Sequence, residues 1–360
     1  MLLHHTTGMI DLWYNRPKFS SNASWNSSAI TFANQSTFGR FPRGLFVDIS
    51  NTIYAGSWLN NIVKVWYHGS STSVRTITND INFPYGLFAS KDGDIYIDNG
   101  ARNRRVDKWT PNATHSSSVM TISNPCWSLF IDTNNSLYCS LERSHQVVKV
   151  DLSSNSMIPI KVAGNGTAGS TPSLLNEPNG IFVDTDFTLY VAECGNNRIQ
   201  RFNLGDPNGT TVVGSTAPKT ISLKCPTSVI LDGNGFLFIM DSRNNRIIAQ
   251  NSLGFQCIAG CSGTGGSEPN QLSNAQYIAF DTYGNIFVTD YNNHRIQKFI
   301  IISNTLTTTT TTTTTTRTTA EITTTDMITS TIPIVIFHVC KIPKGILIDE
   351  FGILYICDVW

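Results

Sequence analysis

The sequence predicts an all-β protein, a six-bladed β-propeller in which every blade is a four-stranded antiparallel sheet. One observation behind this prediction is an internal repeat that occurs in six copies, roughly 40–50 residues apart. A second is the pattern inside each copy, in which two short apolar segments flank a polar turn. A third is that no run of about ten residues or more has the periodicity of an amphipathic helix.

Each copy begins with two strands joined by a tight turn. A proline or a similar residue precedes the first apolar strand, and the second strand ends in Tyr or Phe plus small residues. The turns between them, such as DGNG and DTNN, are rich in the residues that suit β-hairpins. In chain order the six segments are FPRGLFVDISNTIYAG, FPYGLFASKDGDIYID, NPCWSLFIDTNNSLYCS, EPNGIFVDTDFTLYVAE, CPTSVILDGNGFLFIMD and NAQYIAFDTYGNIFVTD.

A third strand follows in every copy, and a fourth follows in all copies except the last. The third strands are IVKVWY, RVDKW, VVKVDL, RIQRF, RIIAQ and RIQKF. The fourth strands are VRTIT, SVMTI, IPIKVAG, TTVVG and QCIAG. The segment SAITFAN, residues 28–34, resembles the strand that the sixth copy lacks. If it pairs with that copy, the ring closes and its exposed sheet edges disappear.

A second closure, with seven blades, stays open at this point. The segment MIDLWY, residues 9–14, matches the third strand of the first copy. At the other end of the chain, KIPKGILIDEFGILYICDVW begins a further repeat, with strands over residues 345–349 and 353–357. Strands from the two termini would then share a composite seventh blade.

With six blades, the chain divides into four parts. The linker among them contains ten consecutive threonines, and such a low-complexity segment has no pattern that could form a core. The parts are an N-terminal extension (1–24), the propeller (25–303), a Thr-rich low-complexity linker (304–331) and a truncated additional repeat (332–360).

The last three copies share a longer signature, YVAECGNNRIQRF, FIMDSRNNRIIAQ and FVTDYNNHRIQKF. With this signature, residues 41–300 resemble the NHL repeat family of β-propellers. The resemblance implies that the acid ending strand two pairs with the arginine opening strand three, so these residues are structural rather than catalytic. The implied pairs are Glu193 with Arg198, Asp241 with Arg246 and Asp290 with Arg295, and the implied turn asparagines are Asn196, Asn244 and Asn292.

Cysteines indicate which loops lie on one face of the ring. In a four-stranded blade, the loop between strands two and three lies on the same face as the segment entering strand one. Cys194 is in a loop of the first kind, and Cys225 is in a segment of the second kind on the next blade, so we expect a disulfide between them. Buried free thiols are the alternative.

Two other cysteine pairs are candidates with an obstacle each. Cys126 and Cys139 lie near the same face, but a register that pairs Ile131 with Leu137 puts them on opposite sides of the sheet. Cys257 and Cys261 would be ~13 Å apart on a straight strand. They can form a bridge if the chain bends sharply between them.

Charge and motif spacing argue against several function classes. The formal net charge is zero, which disfavours a nucleic-acid partner. A small cluster of Arg102, Arg104 and Arg105, with Arg143 nearby in blade order, keeps an RNA-binding propeller as a third hypothesis. A zinc-dependent peptide-amidating lyase is the second, since those enzymes share an NHL-like propeller. His145 and His294 lie on opposite blades, however, so we expect no catalytic residues, no metal and no cofactor.

The favoured hypothesis is a non-enzymatic, monomeric scaffold that binds a protein, a peptide or a glycan. The loops of one face can vary while the blades stay fixed, and aromatic side chains on such loops make good interface anchors. The candidate binding residues are Trp58, Leu59, Arg102, Arg104, Trp127, Arg143 and Tyr291.

Eight cysteines and several glycosylation acceptors favour an extracellular or cell-surface location. The first residues lack the basic and apolar regions of a signal peptide, so the chain is either cytoplasmic or a piece of a longer secreted protein. We favour the secreted protein. The acceptor triplets begin at Asn22, Asn26, Asn34, Asn112, Asn134, Asn165 and Asn208.

Overall fold

Six four-stranded antiparallel sheets form a closed ring, as the repeat predicts. A computed structural model describes residues 12–214, 217 and 220–305, together with the backbone of residues 345–348 and 354–357. Helix in these residues is limited to α1 (Gly100–Asn103) and three 3-10 turns, Glu142–Ser144, Ser242–Asn244 and Tyr291–Asn293. All four connect strand two of a blade to strand three.

Two strands precede the first blade, β1 (Ser24–Trp25) and β2 (Ile30–Ala33). Each blade runs from its inner strand at the ring axis to its outer edge. Blade one consists of β3 (Pro42–Val47), β4 (Ile53–Ser57), β5 (Ile62–Trp66) and β6 (Arg75–Ile77). Blade two consists of β7 (Leu87–Ala89), β8 (Ile95–Asp98), β9 (Arg105–Trp109) and β10 (Ser117–Thr121). Blade three consists of β11 (Cys126–Ile131), β12 (Ser136–Leu141), β13 (Gln146–Asp151) and β14 (Ile160–Gly164).

The second half of the ring has the same plan. Blade four consists of β15 (Pro178–Val183), β16 (Leu189–Glu193), β17 (Arg198–Phe202) and β18 (Thr210–Gly214). Blade five consists of β19 (Pro226–Leu231), β20 (Leu237–Asp241), β21 (Arg246–Asn251) and β22 (Gly254–Ala259). Blade six consists of β23 (Ile278–Phe280), β24 (Ile286–Asp290), β25 (Arg295–Phe299) and β2, and β26 (Ile301–Ser303) follows it.

The ring closes through the N-terminal strand, which confirms the six-bladed prediction. Strand β2 pairs antiparallel with β25, and Ile30 lies opposite Lys298. Strand β1 adds a second, shorter pairing with β26. The ring has six blades rather than the seven of the alternative closure. Of the segment 9–14, residues 12–14 are described, and Tyr14 forms a bridge with Asp48 at the end of the first inner strand.

A second unit of the chain comprises residues Thr309–Trp360. Its described part is an antiparallel hairpin of β27 (Gly345–Ile348) and β28 (Leu354–Cys357). These are the two strands that the sequence predicts for the additional repeat. Residues 306–331 of the predicted Thr-rich linker lie outside the described residues.

The apolar core reaches the ring axis. Adjacent phenylalanine rings on the inner strands of blades one to four contact each other, with centroids 4.3, 5.0 and 5.0 Å apart. Tyr14 packs edge-on against two of these rings, and 5% of its surface is exposed. The inner-strand phenylalanines are Phe46, Phe88, Phe130 and Phe182.

The N-terminal segment also ties several blades together on one face. We call this face, which carries the turns between strands one and two, the lower face, and the opposite face the upper face. The amide of Asn15 donates to three main-chain carbonyls at the lower ends of the inner strands of blades one and six. Arg16 donates to the carbonyl of Asp232 in blade five and pairs with the carboxylate of Asp184 in blade four.

The three implied acid–arginine pairs are present. The carboxylates are fully buried, and the Nε–carboxylate distances in the second and third pairs are 2.8 and 2.7 Å. Each arginine also donates to carbonyls of the segment entering strand one, so each pair joins three segments of its blade. The pairs are Glu193–Arg198, Asp241–Arg246 and Asp290–Arg295.

The turn asparagines agree with the prediction in two of the three blades. The amides of Asn196 and Asn244 donate to the acid of their blade. In blade six the donor is Asn293, at 2.8 Å from Asp290, rather than the expected Asn292. The reason is the turn geometry, which brings the third residue after the acid back to its carboxylate in all three blades.

A further set of hydrogen bonds joins neighbouring blades. In all six blades the residue just before strand three has left-handed backbone angles, which asparagine tolerates well. In five of them its side chain accepts the main-chain N–H that precedes the next inner strand. The acceptors are Asn61, His145, Asn197, Asn245 and His294, with distances from 2.7 to 3.2 Å. His145 and His294 therefore substitute for asparagine, and each accepts through Nδ1.

All three candidate disulfides are formed. Cys194–Cys225 links blades four and five, as expected. The register argument against Cys126–Cys139 is wrong, because a β-bulge between Cys126 and Leu129 turns Cys126 to the face of its partner. The pairing of Ile131 with Leu137 itself is confirmed. Cys257–Cys261 is formed because the chain bends at Gly260, which has a positive φ, and the Cα atoms are 5.8 Å apart.

The histidine of blade three provides a first test. We expect His145→Asn to keep the free energy of unfolding within about 0.5 kcal/mol of the native value, because asparagine supplies the acceptor and tolerates the left-handed angles. His145→Ala should lower it by about 1–3 kcal/mol, since the N–H of Glu177 loses its partner. Urea denaturation of the oxidised protein measures both. Equal losses for the two variants would contradict this role.

The buried pair of blade four provides a second test. Arg198→Met leaves the fully buried Glu193 carboxylate without its cation, so we expect a loss of about 3–5 kcal/mol in the free energy of unfolding. The control is Lys108→Met, which breaks a pair whose side chains are 30% and 13% exposed and should cost about 1 kcal/mol or less. If Arg198→Met lowers the free energy of unfolding by no more than Lys108→Met does, the buried pair does not stabilise its blade as proposed.

Candidate functional site

The candidate site lies where the inner strands open onto the upper face. The repeat puts one side chain from each blade there, two residues before the apolar part of the inner strand. Blades one to three supply a cation and two aromatic rings, and blades four to six supply polar groups. The six equivalent residues are Arg43, Tyr85, Trp127, Asn179, Thr227 and Gln276.

Arg43 is the centre of this site. Its guanidinium carbon lies 4.2 Å from the ring centroid of Tyr85 and 4.5 Å from that of Trp127. Tyr291 of blade six and Trp58 of blade one complete the enclosure at 5.0 and 5.7 Å. Stacking of a guanidinium on aromatic faces is favourable by about 0.5–2 kcal/mol per contact. We call Arg43 and these four aromatic residues the mouth.

Below the mouth, a tyrosine crosses the ring axis. Tyr277 follows Gln276 on blade six, and its hydroxyl donates to the main-chain carbonyl of Trp127 on the opposite blade. Burial raises the pKa of Tyr277, so its phenol stays protonated. A cavity of about 70 Å³ lies beneath, lined by Tyr277 near the upper face and by Tyr14 near the lower face. The space along the ring axis is therefore narrow and filled largely by side chains.

Several buried polar atoms around the mouth have no hydrogen-bond partner among the described residues. A buried polar atom without a partner costs about 1–3 kcal/mol. Most such atoms in native proteins are satisfied, so a group of them at one place needs an explanation. They are Nε of Arg43, Nε1 of Trp58 and Trp127, Oδ2 of Asp98, Oδ1 of Asn179 and Oε1 of Gln276.

Two carboxyl groups lie near Arg43 without pairing with it. Asp98 is fully buried and accepts the N–H groups of Gly100 and Cys126 through one oxygen, at 3.1 and 2.9 Å. Burial raises the pKa of Asp98 to about 8. Burial also raises the pKa of Glu142, while the charge of Arg43 opposes that shift.

The structure brings three of the predicted binding residues together and leaves four outside. Trp58, Trp127 and Tyr291 all contact Arg43. Of the others, Arg102 stacks on Phe83, at 5.6 Å. Leu59, Arg104 and Arg143 are exposed on the loops between strands two and three.

Sequence reasoning missed Arg43, Tyr85, Asp98 and Gln276. The first, second and fourth of these occupy one repeat position, immediately after the proline or its replacement. Comparison of that position across the copies would have shown a cation, two aromatic residues and three polar residues. Asp98 had a weaker signal, since it takes the place of small residues such as Ala192 and Ser140 in other blades.

Among the described residues, no group of three or more His, Cys, Asp or Glu side chains is arranged to hold a metal ion. His145 and His294, the two histidines considered for such a role, accept main-chain hydrogen bonds between blades instead. In the same part of the chain, none of the helices has the length and apolar character needed to cross a membrane.

Comparison with known proteins agrees with this architecture. Residues 272–299, which cover the segment entering blade six and its first three strands, match the NHL repeat model. A search of curated proteins found no match. The fold and the repeat thus define the class: the protein is a six-bladed β-propeller. More particularly, it is a propeller that carries an NHL repeat.

Solved structures with the same fold have diverse functions. A gluconolactonase from Xanthomonas campestris is 14% identical with a TM-score of 0.58, and the match covers 80% of this chain and 94% of that one. A catalytically inactive virginiamycin B lyase from Staphylococcus aureus, solved with quinupristin, is 15% identical with a TM-score of 0.51, covering 72% and 80%. An auxiliary nutrient binding protein from Bacteroides thetaiotaomicron is 15% identical with a TM-score of 0.58, covering 80% and 75%. These likenesses show the fold alone.

The buried carboxyl of Asp98 predicts a pH dependence of stability. Its pKa is about 8 in the folded protein and about 4 in the unfolded chain. Between those values the folded state keeps a proton that the unfolded state releases. The free energy of unfolding should therefore fall as the pH rises from about 4 to about 8.

Asp98→Asn tests this prediction, because its side-chain oxygen can accept the same two N–H groups without titrating. We expect the variant to lose less stability than the native protein between pH 5 and pH 9, by a few kcal/mol at most. Denaturation curves at the two pH values give the comparison. Parallel losses in both proteins would show that Asp98 does not keep a proton in the folded state.

Proposed function

We propose that the protein is a non-enzymatic binding module whose mouth takes a polar ligand, such as a segment of a protein, a peptide or a glycan. The observation that carries this proposal is the group of six buried polar atoms without partners around the mouth. A ligand, or water held with it, would supply the missing hydrogen bonds after small side-chain shifts. Such a gain offsets the cost of keeping these atoms unpaired in the free protein.

The aromatic residues support the same assignment. The four aromatic residues of the mouth come from four different blades and are each partly exposed. Tryptophan and tyrosine combine a large apolar surface with a polar atom, and they dominate the binding energy of many interfaces. A ligand with both apolar and hydrogen-bonding groups would use both features.

The disulfides and the glycosylation acceptors are consistent with a secreted or cell-surface protein. Three disulfides bridge the propeller, and such bonds persist in oxidising environments. The asparagines of all seven acceptor triplets are exposed, as N-glycosylation requires. We therefore infer a monomeric, extracellular glycoprotein attached through the Thr-rich segment.

An enzyme of the lyase class is the second candidate. The observation in its favour is Asp98, a buried carboxyl near Arg43 whose pKa of about 8 suits a proton donor or acceptor. Stoichiometric zinc in the purified protein would support a zinc-dependent lyase. RNA binding is a third hypothesis, and salt-sensitive binding of single-stranded RNA would support it.

Glycan and peptide arrays test the binding proposal. We expect ligands that bind the native protein to lose about tenfold or more in affinity with Trp127→Ala and with Trp58→Ala. The matched control is Tyr67→Ala, which removes an aromatic residue that is 62% exposed on the lower face. Unchanged binding by both tryptophan variants, or an equal loss in the Tyr67 variant, would place the binding surface elsewhere.

A further inference from the structure

The hydrogen bonding of Arg43 differs from that of the arginines in the acid–arginine pairs. A guanidinium carries five N–H donors, and none of those of Arg43 has an acceptor among the described residues. No carboxylate in the described part of the chain lies within ion-pair distance of it either. The arginines of the acid–arginine pairs differ in both respects. Arg198, for example, binds the Glu193 carboxylate and donates to main-chain carbonyls as well.

The surroundings of Arg43 fix the orientation of its guanidinium. Tyr85 and Trp127 lie over it at 4.2 and 4.5 Å, and Tyr291 adds a third ring at 5.0 Å. Aromatic stacking covers the flat faces of a guanidinium, whereas its N–H groups lie in the plane and point outward. The aromatic residues therefore hold the group in place, and they accept no hydrogen bond from the N–H groups that form its donor edge.

The donor edge keeps contact with solvent at its tip. Arg43 is half-buried, and its two terminal nitrogens, unlike Nε, are not among the buried atoms that lack a partner within the described residues. A ligand entering from the upper face would meet these two nitrogens first. Two parallel N–H groups at the end of an arginine match the two oxygens of a carboxylate.

We propose that the ligand of the mouth carries a carboxylate, which forms a bidentate ion pair with the terminal nitrogens of Arg43. This inference rests on the proposed function, since it names the chemistry of the ligand in the same site. The ligand class is an acidic small molecule, an acidic sugar or the carboxyl end of a peptide. The aromatic rings contact the rest of the ligand.

The acidic residues near Arg43 do not supply a carboxylate partner for it from within the protein. Asp98 forms no ion pair with Arg43, and the hydrogen bonds that it accepts come from main-chain N–H groups. Glu142 lies near Arg43 without an ion pair, and Glu177 lies near Glu142.

Matched pairs of acids and neutral analogues test the proposal. The probes are hippurate with hippuramide, glucuronate with glucose, and an N-acetylated dipeptide with its C-terminal amide, titrated by calorimetry into the full chain. We expect at least one acid to bind about tenfold or more tightly than its neutral partner. Arg43→Met, which keeps an unbranched side chain between the rings, should abolish that preference, and Arg43→Lys should restore part of it.

Arg201→Met is the control, because Nε of Arg201 is also buried without a partner but belongs to strand three of blade four. It should leave the acid preference unchanged, and circular dichroism confirms that each variant is folded. If no acid binds below about 10 mM, or if Arg43→Met keeps the preference, the inference is wrong. Neutral ligands that bind through Trp127 with no preference for the acid would overturn the carboxylate inference and leave the binding function standing.

Discussion

The structure depends on the pairing of β2 with β25, which closes the ring between its first and last blades. Without this pairing, β25 would be an exposed sheet edge. Closure also brings Phe41 of blade one against Tyr291 and His294 of blade six, with ring centroids 4.8 and 4.4 Å apart. Since Tyr291 is one wall of the mouth and Arg43 comes from blade one, the candidate site is assembled across this junction.

The repeated positions set the backbone of the scaffold, whereas the candidate site consists of a position at which the six repeats differ. The inter-blade hydrogen bonds use asparagine or histidine at equivalent positions, because each has an acceptor within reach of the next blade. The position after the proline is under no such requirement, and it differs in all six blades. A fixed backbone that presents different side chains around one axis is an arrangement that suits recognition.

The two faces of the ring differ in what they offer a ligand. On the lower face, Tyr14, Asn15 and Arg16 pack into or across the ends of the inner strands and satisfy the groups that they meet. The lower face also has buried polar atoms without partners among the described residues, such as Nε1 of Trp13, but the upper face gathers six of them around Arg43. This difference is one of hydrogen-bond balance, and it is why the upper face is the candidate for binding in this propeller.

The sequence by itself determined the four-stranded plan of the blades and their turns, because these features are local and recur at a fixed spacing. It favoured six blades closed by the N-terminal strand over seven, and its resemblance to NHL repeats implied the acid–arginine pairs. It also supplied Trp58, Trp127 and Tyr291 as candidates. Tertiary structure decided the rest. A β-bulge turned Cys126 toward Cys139, and ring closure brought Arg43 into contact with rings from four blades. The bulge is a local change of backbone register, and most contacts of Arg43 join different repeats, so the residue pattern of a single repeat carries no record of either.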